Sequence, residues 1–159
     1  MDFSGTWEGR FDWDQPDVPP TRFRLRLRQN IFGRVVGEAV DLDEQLDFPR
    51  AEIRGIAEGN IVTFRKIYGR VIFRVDGRVM TLPEYVRAQY DDEVGDGPET
   101  REIDYKGVFT THDNALAGRW NSRADWVFLE QSEEWMPLME NSGLWIAHRI
   151  STDQLDLRV

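Results

Sequence analysis

From Phe3 to Trp13 the chain alternates without a break. Phe3, Gly5, Trp7, Gly9, Phe11 and Trp13 fall on one parity, and Ser4, Thr6, Glu8, Arg10 and Asp12 on the other. Period two predicts a β-strand with one aromatic face, thinned by glycine, and one charged face. A proline-rich breaker follows at 15–20, and then TRFRLRLRQ repeats the pattern more strictly: Arg22, Arg24, Arg26 and Arg28 on one side, Phe23, Leu25 and Leu27 on the other. Such alternation marks antiparallel strands with one buried face. Asn30 to Gly33 turns the chain into RVVGEAVDL (34–42), and a linker containing Pro49 leads to RAEIRGIAE (50–58). There Ala51, Ile53, Gly55 and Ala57 read as inward, and Arg50, Glu52 and Arg54 as outward. Gly59-Asn60 is a tight-turn pair, and IVTFRKIY (61–68) is the next strand. Short connections between successive strands predict an up-and-down antiparallel order.

The rhythm then changes. Residues 70–80 read as a hairpin around Asp76-Gly77. Residues 82–91 read as a helix, with Thr81 as N-cap, Pro83 in the first turn and Glu84 closing a Thr-x-x-Glu capping box. Leu82, Tyr85, Val86 and Tyr90 form its apolar stripe. The acidic run 91–99 lacks the spacing of a calcium loop and reads as solvated. Strands resume at 101–111 and 115–121, joined by His112-Asp113-Asn114. In 122–141, DWVFLEQ reads as strand and SEEWMPLMEN as a short helix broken at Pro137. SGLWIAHRI (142–150) closes the series, and the tail STDQLDLRV offers one more strand.

Eight or more strands with one apolar face each can close on themselves and leave no free edge. The predicted fold is therefore all-β: an up-and-down barrel of 8–10 strands with one short helix, charged outside and apolar within. Glu8, Arg10 and Asp12 are placed to pair with the arginines of the second strand. Inward glycines (Gly5, Gly9, Gly37, Gly55, Gly107) leave room for large rings or let strands coil. The 159 residues, 40% hydrophobic and 12% aromatic, suffice for one domain, with insertions near 70–100 and 122–141. A net charge of −9 argues against nucleic acid or an anionic membrane as partner. The chain has no cysteine, which removes disulfides and thiol chemistry and fits a reducing cytoplasm. No apolar leader or spanning segment is evident, so the chain reads as soluble and cytoplasmic.

Gly5-Thr6-Trp7 resembles the G-x-W start of the calycin superfamily, which groups lipocalins, fatty-acid-binding proteins and avidins. VTFRKIY, EIDYKGVF, ALAGRW and SGLWIAHR are similar in rhythm to small bacterial lipocalin-like proteins. The resemblance covers roughly residues 2–70 and 101–150, and the segments 70–100 and 122–141 depart from it. It implies a ligand-binding barrel in which a late basic residue packs over the tryptophan of the first strand. Arg149 is the first candidate for that residue and Arg158 the second.

Alternation places Lys66 and Tyr68 on the inward face with Val62 and Phe64. A lysine inside an apolar barrel is costly unless paired, so Lys66 either orients an acidic ligand or snorkels to water at the rim. Tyr105 shares an inward parity with Ile103 and Phe109 and is a second polar handle. Trp7 reads either as a ring at the barrel floor that meets the ligand or as a plug beneath Arg149. Aromatic wall contacts fall to Phe11, Phe64, Trp120 and Trp145. His112 and His148 lack the spacing of a metal motif, and no hydrolase, zinc-protease or phosphate-loop motif is present. No catalytic residue, metal ligand or cofactor is assigned.

These features point to non-enzymatic binding of a small apolar or acidic-headed ligand in the lumen. One rival is a barrel filled by its own side chains, serving structure or protein interaction. The other is an enzyme acting on a hydrophobic substrate in the same cavity. The apolar helix stripe is read as a lid or an outer-wall contact. The apolar segment 122–141 is read as a cover of the mouth or a homodimer contact.

Overall fold

A computed structural model describes residues 1–42, 50–76 and 78–152. Eight strands form a closed antiparallel barrel: β1 (Gly5–Phe11), β2 (Thr21–Gln29), β3 (Arg34–Asp41), β4 (Arg50–Glu58), β5 (Ile61–Tyr68), β9 (Arg101–Thr110), β10 (Ala115–Ser122) and β13 (Asn141–Ser151). Between β5 and β9 lie the hairpin β6 (Ile72–Val75) and β7 (Arg78–Thr81), the helix α1 (Leu82–Tyr90) and the short strand β8 (Val94–Asp96). Between β10 and β13 lie β11 (Asp125–Leu129) and β12 (Glu134–Leu138). Each barrel strand pairs with the next one in the chain, and β13 returns to β1, as the up-and-down reading requires.

The alternation sorts as predicted. Phe23, Leu25 and Leu27 are buried while Arg22, Arg26 and Arg28 are exposed, and Ala51, Ile53 and Ala57 are buried opposite an outward Arg50, Glu52 and Arg54. Outside, Glu8 accepts from Arg24, whose Nε lies 2.8 Å away, and Arg26 pairs with Glu38 at 3.1 Å. Large rings fill the interior, and glycine makes room for them: a Cβ at Gly107 would lie 2.4 Å from the Trp145 ring. The Asn30 side chain, accepting from the amides of Phe32 and Arg34, and Gly33 at φ +80° make the β2–β3 turn.

The two ends of the barrel differ. The turns β2–β3, β4–β5 and β9–β10 are short and share one end with the start of β1 and the end of β13. The long connections β1–β2, β3–β4, β5–β9 and β10–β13 all leave from the other end. That second end receives the inserted elements, which build a core of their own. Val71, Leu82, Val86, Val127, Leu129, Met136 and Leu138 are buried together there. Helix α1 forms as the capping box predicts, with Thr81 and Glu84 bonded reciprocally. Leu82, Val86 and, in part, Tyr85 of its stripe pack into this second core, with Phe73 stacked on Tyr85 at 4.0 Å, while Tyr90 stays exposed.

Three expectations need correction. Residues 134–138 form strand β12, not a helix; Met136 and Leu138 point into the second core while Trp135 stays outside. Pro137 is tolerated because β12 is the edge of a sheet ordered β12-β11-β8. The acidic run 91–99 is not simply a solvated loop. It contains β8, and Asp92 is buried, accepting from the amides of Glu93, Gln131 and Ser132 and from the Ser132 hydroxyl. Lys66 is not at the rim: none of its side chain is exposed. The linker at Pro49, Gly77, Arg158 and most of the tail lie outside the described residues. No helix of the described residues is long and apolar enough to cross a membrane.

Candidate functional site

The site begins with one inward parity on β5. Val62, Phe64, Lys66 and Tyr68 are all buried. Lys66 lies two residues before the end of β5, about 7 Å in from the end with the long connections. Its Nζ stands over three rings, 4.3 Å from the centroid of Phe23, 4.8 Å from Tyr105 and 5.2 Å from Phe11. Each such contact attracts a cation by about 0.5–2 kcal/mol.

The counter-charge comes from Asp41, the last residue of β3. Its Oδ1 lies 3.8 Å from Lys66 Nζ, an ion-pair distance too long for a hydrogen bond. The Tyr68 hydroxyl donates to Asp41 Oδ2 at 3.2 Å. Between β3 and β5 runs β4, where the facing residue is Ala51, paired with Ala39 on one side and Tyr68 on the other. Two alanines keep the inner wall low there, so side chains two strands apart can meet. Asp41 shares its inward parity with Val35, Gly37 and Ala39; that alternation was the signal that could have found it. Phe23, the closest ring to the ammonium, was legible as inward but not as part of a site.

Three polar atoms of this group are buried without a hydrogen-bond partner: Lys66 Nζ, Tyr105 OH and Asp41 Oδ1. Burial pulls the Lys66 ammonium below the usual lysine range, and the Asp41 carboxylate opposes that shift. Burial, with Asp41 nearby, pushes the Tyr105 phenol well above its usual range, so it remains a donor. Buried polar atoms in folded proteins are nearly always paired, so three in one cluster call for a reason.

The aromatic candidates Phe11, Phe64, Trp120 and Trp145 belong to one network around this group. Phe64 stacks on Tyr105 at 5.0 Å, Trp145 meets both edge-on at 5.6 and 5.7 Å, and Phe11 meets Trp120 at 5.4 Å. The indole nitrogens of Trp120 and Trp145 donate to the carbonyls of Asp12 and Lys106. Trp7 and Arg149 do not join them. The Arg149 guanidinium lies 4.6 Å from the Trp7 ring centroid and donates to the Asp2 carbonyl, while Trp7 packs on Phe3 and Phe109 at the end with the short turns. His112 and His148 are exposed.

The fold and site together define an eight-stranded antiparallel barrel that holds a lysine–aspartate pair inside an aromatic interior. Comparisons with models of protein families, with curated proteins and with solved structures gave no match to this chain.

Proposed function

We propose that the protein binds a small, largely apolar molecule non-covalently inside the barrel, in the manner of the lipocalin-like members of the calycin superfamily. The ring network supplies apolar contact, and Lys66 with Tyr105 orients a polar or acidic head. The observation that carries this reading is the cluster of unpartnered buried polar atoms at Lys66, Tyr105 and Asp41, walled by aromatic rings. Mouths of β-barrels are recurrent sites for such ligands. The end that receives the long connections is the natural entrance.

The mutual packing of those same rings favours a second reading, a barrel filled by its own side chains. Under it the outward Trp126 and Trp135 would make the protein's contacts, with a partner or a second copy of the chain. Native mass spectrometry of freshly purified protein, compared with its denatured mass, separates the two. A non-covalent adduct that leaves on denaturation supports the binding barrel. A bare mass, together with no uptake of the neutral dye N-phenyl-1-naphthylamine, assigns the filled barrel. Lys66→Met is expected to weaken binding of the captured molecule at least tenfold; unchanged affinity removes Lys66 from the site.

A further inference from the structure

We infer that the head of the bound molecule is an uncharged group that both accepts and donates hydrogen bonds, of the carboxamide class, rather than a carboxylate. This rests on the binding reading above and deepens it.

The unpartnered atoms have a definite polarity. Lys66 Nζ and Tyr105 OH are donors in want of an acceptor, and Asp41 Oδ1 is an acceptor in want of a donor. Trp13, packed on Phe11 at 5.7 Å, adds a further buried N–H without a partner. A carbonyl oxygen serves the donors, and an adjacent N–H serves Asp41. The charges exclude the simpler alternative. The ammonium already has a carboxylate 3.8 Å away, so the pair is neutral as it stands. A second carboxylate would share one ammonium with Asp41 and leave a net negative charge buried among rings, which is the costly arrangement. A carboxylate head would also give Asp41 Oδ1 no hydrogen, whereas a primary amide gives it one and accepts at its oxygen from Lys66 and Tyr105, at no net charge.

The test is a set of matched ligands of six, eight and ten carbons, each as the straight-chain amide and as the carboxylate, titrated at pH 7.5 by calorimetry. The amide of the best-fitting length is expected to bind at least tenfold more tightly than its carboxylate. Asp41→Asn removes the competing charge and should reverse that preference in favour of the carboxylate. Should Asp41→Asn fail to fold, the N,N-dimethyl amide of the same length carries the test on the wild type: it keeps the carbonyl but has no N–H for Asp41 Oδ1, and should bind several-fold more weakly than the primary amide; equal affinity would overturn the inference. If the carboxylate binds as tightly as the amide or more so, the head-group inference is overturned while the binding barrel stands. If no member of either series binds, the head-group inference falls, and the binding barrel stands or falls on the native mass spectrum and the dye uptake.

Discussion

Two cations rest on aromatic rings inside the two halves of one barrel, and they are held in opposite ways. Arg149 lies over Trp7, partly exposed, with a carbonyl to donate to. Around it the start of the chain is tied down: Trp7 Nε1 donates to the Phe3 carbonyl, the Phe3 amide to Gln29, and the Gln29 amide to Ser4. Lys66 lies over Phe23, Tyr105 and Phe11, wholly buried, with no hydrogen bond of its own. Phe11 and Tyr105 are each four residues along their strands from Trp7 and Phe109, about 13 Å, so the two cages share no ring. A partly exposed guanidinium that donates to a carbonyl, with only its Nε buried and unpartnered, is an economical plug for a barrel end. A buried ammonium with its hydrogen bonds unmade is a poor device for stability, and that contrast is why the proposed binding site is placed at the Lys66 end.

The comparison breaks most visibly through its largest parts. Trp7→Ala should cost about 3–5 kcal/mol, because the ring is fully buried and a cavity of that size does not collapse. Urea unfolding measures it; a loss below about 1 kcal/mol would show that Trp7 is no keystone. Asp41→Leu should cost about 3–5 kcal/mol by leaving Lys66 charged and alone. The double variant Asp41→Leu/Lys66→Met should recover most of that loss, since an apolar replacement of a whole buried pair is often neutral. No recovery would mean that the pair is itself structural, and the contrast between the two ends would fail.

How much of this was readable in the chain depends on how far each signal reaches. Strict alternation fixes which face is inward, so Lys66, Tyr68 and Tyr105 were legible as interior positions, and Thr81 and Glu84 announced α1 within four residues. The Arg149–Trp7 contact was reached through the resemblance rather than through spacing. Asp41 was missed because its meaning comes from Lys66 and Tyr68, two strands away, and from the low wall at Ala51 between them. EWMPL was misread because a proline beside large apolar residues suits a broken helix and an edge strand equally, and the choice was made by β11 pairing with it. Asp92 looked solvated in an acidic run, yet two of the amides that hold it, those of Gln131 and Ser132, lie about 40 residues on. Burial raises its pKa and these bonds lower it further, to about 2 overall.

A pH series sharpens the contrast further. Burial lowers the Lys66 pKa below its ordinary 10.5. Between the folded value and 10.5 the unfolded chain binds more protons than the folded one, so this group's contribution to stability rises with pH. Its penalty is complete below the folded value and disappears towards 10.5. The stability of the wild type relative to Lys66→Met should therefore climb between neutral pH and 10.5, by no more than about 1.4 kcal/mol per pH unit. Comparing the two proteins cancels the repulsion that a net −9 chain builds up in alkali. Parallel curves would show that Lys66 titrates alike in both states and is not stripped of water.

The smallest expected effect tests the other cation. Arg149→Met keeps an unbranched stem over Trp7 and removes the charge. The cation–ring contact is worth about 0.5–1 kcal/mol at an exposed site, and solvent screening holds it to the lower part of that range. The melting temperature should fall by about 1–2 °C, with no change in the affinity of the barrel for an apolar probe. The double variant Asp41→Leu/Lys66→Met, which leaves neither charge alone, should do the reverse: little or no loss of stability at neutral pH, and a marked loss of affinity. A weakening of probe binding by Arg149→Met would extend the site to the Trp7 end, and the division of labour between the two cations would have to be abandoned. Stability is the quantity that a plug controls and affinity the quantity that a binding group controls, so measuring both on both variants decides the matter.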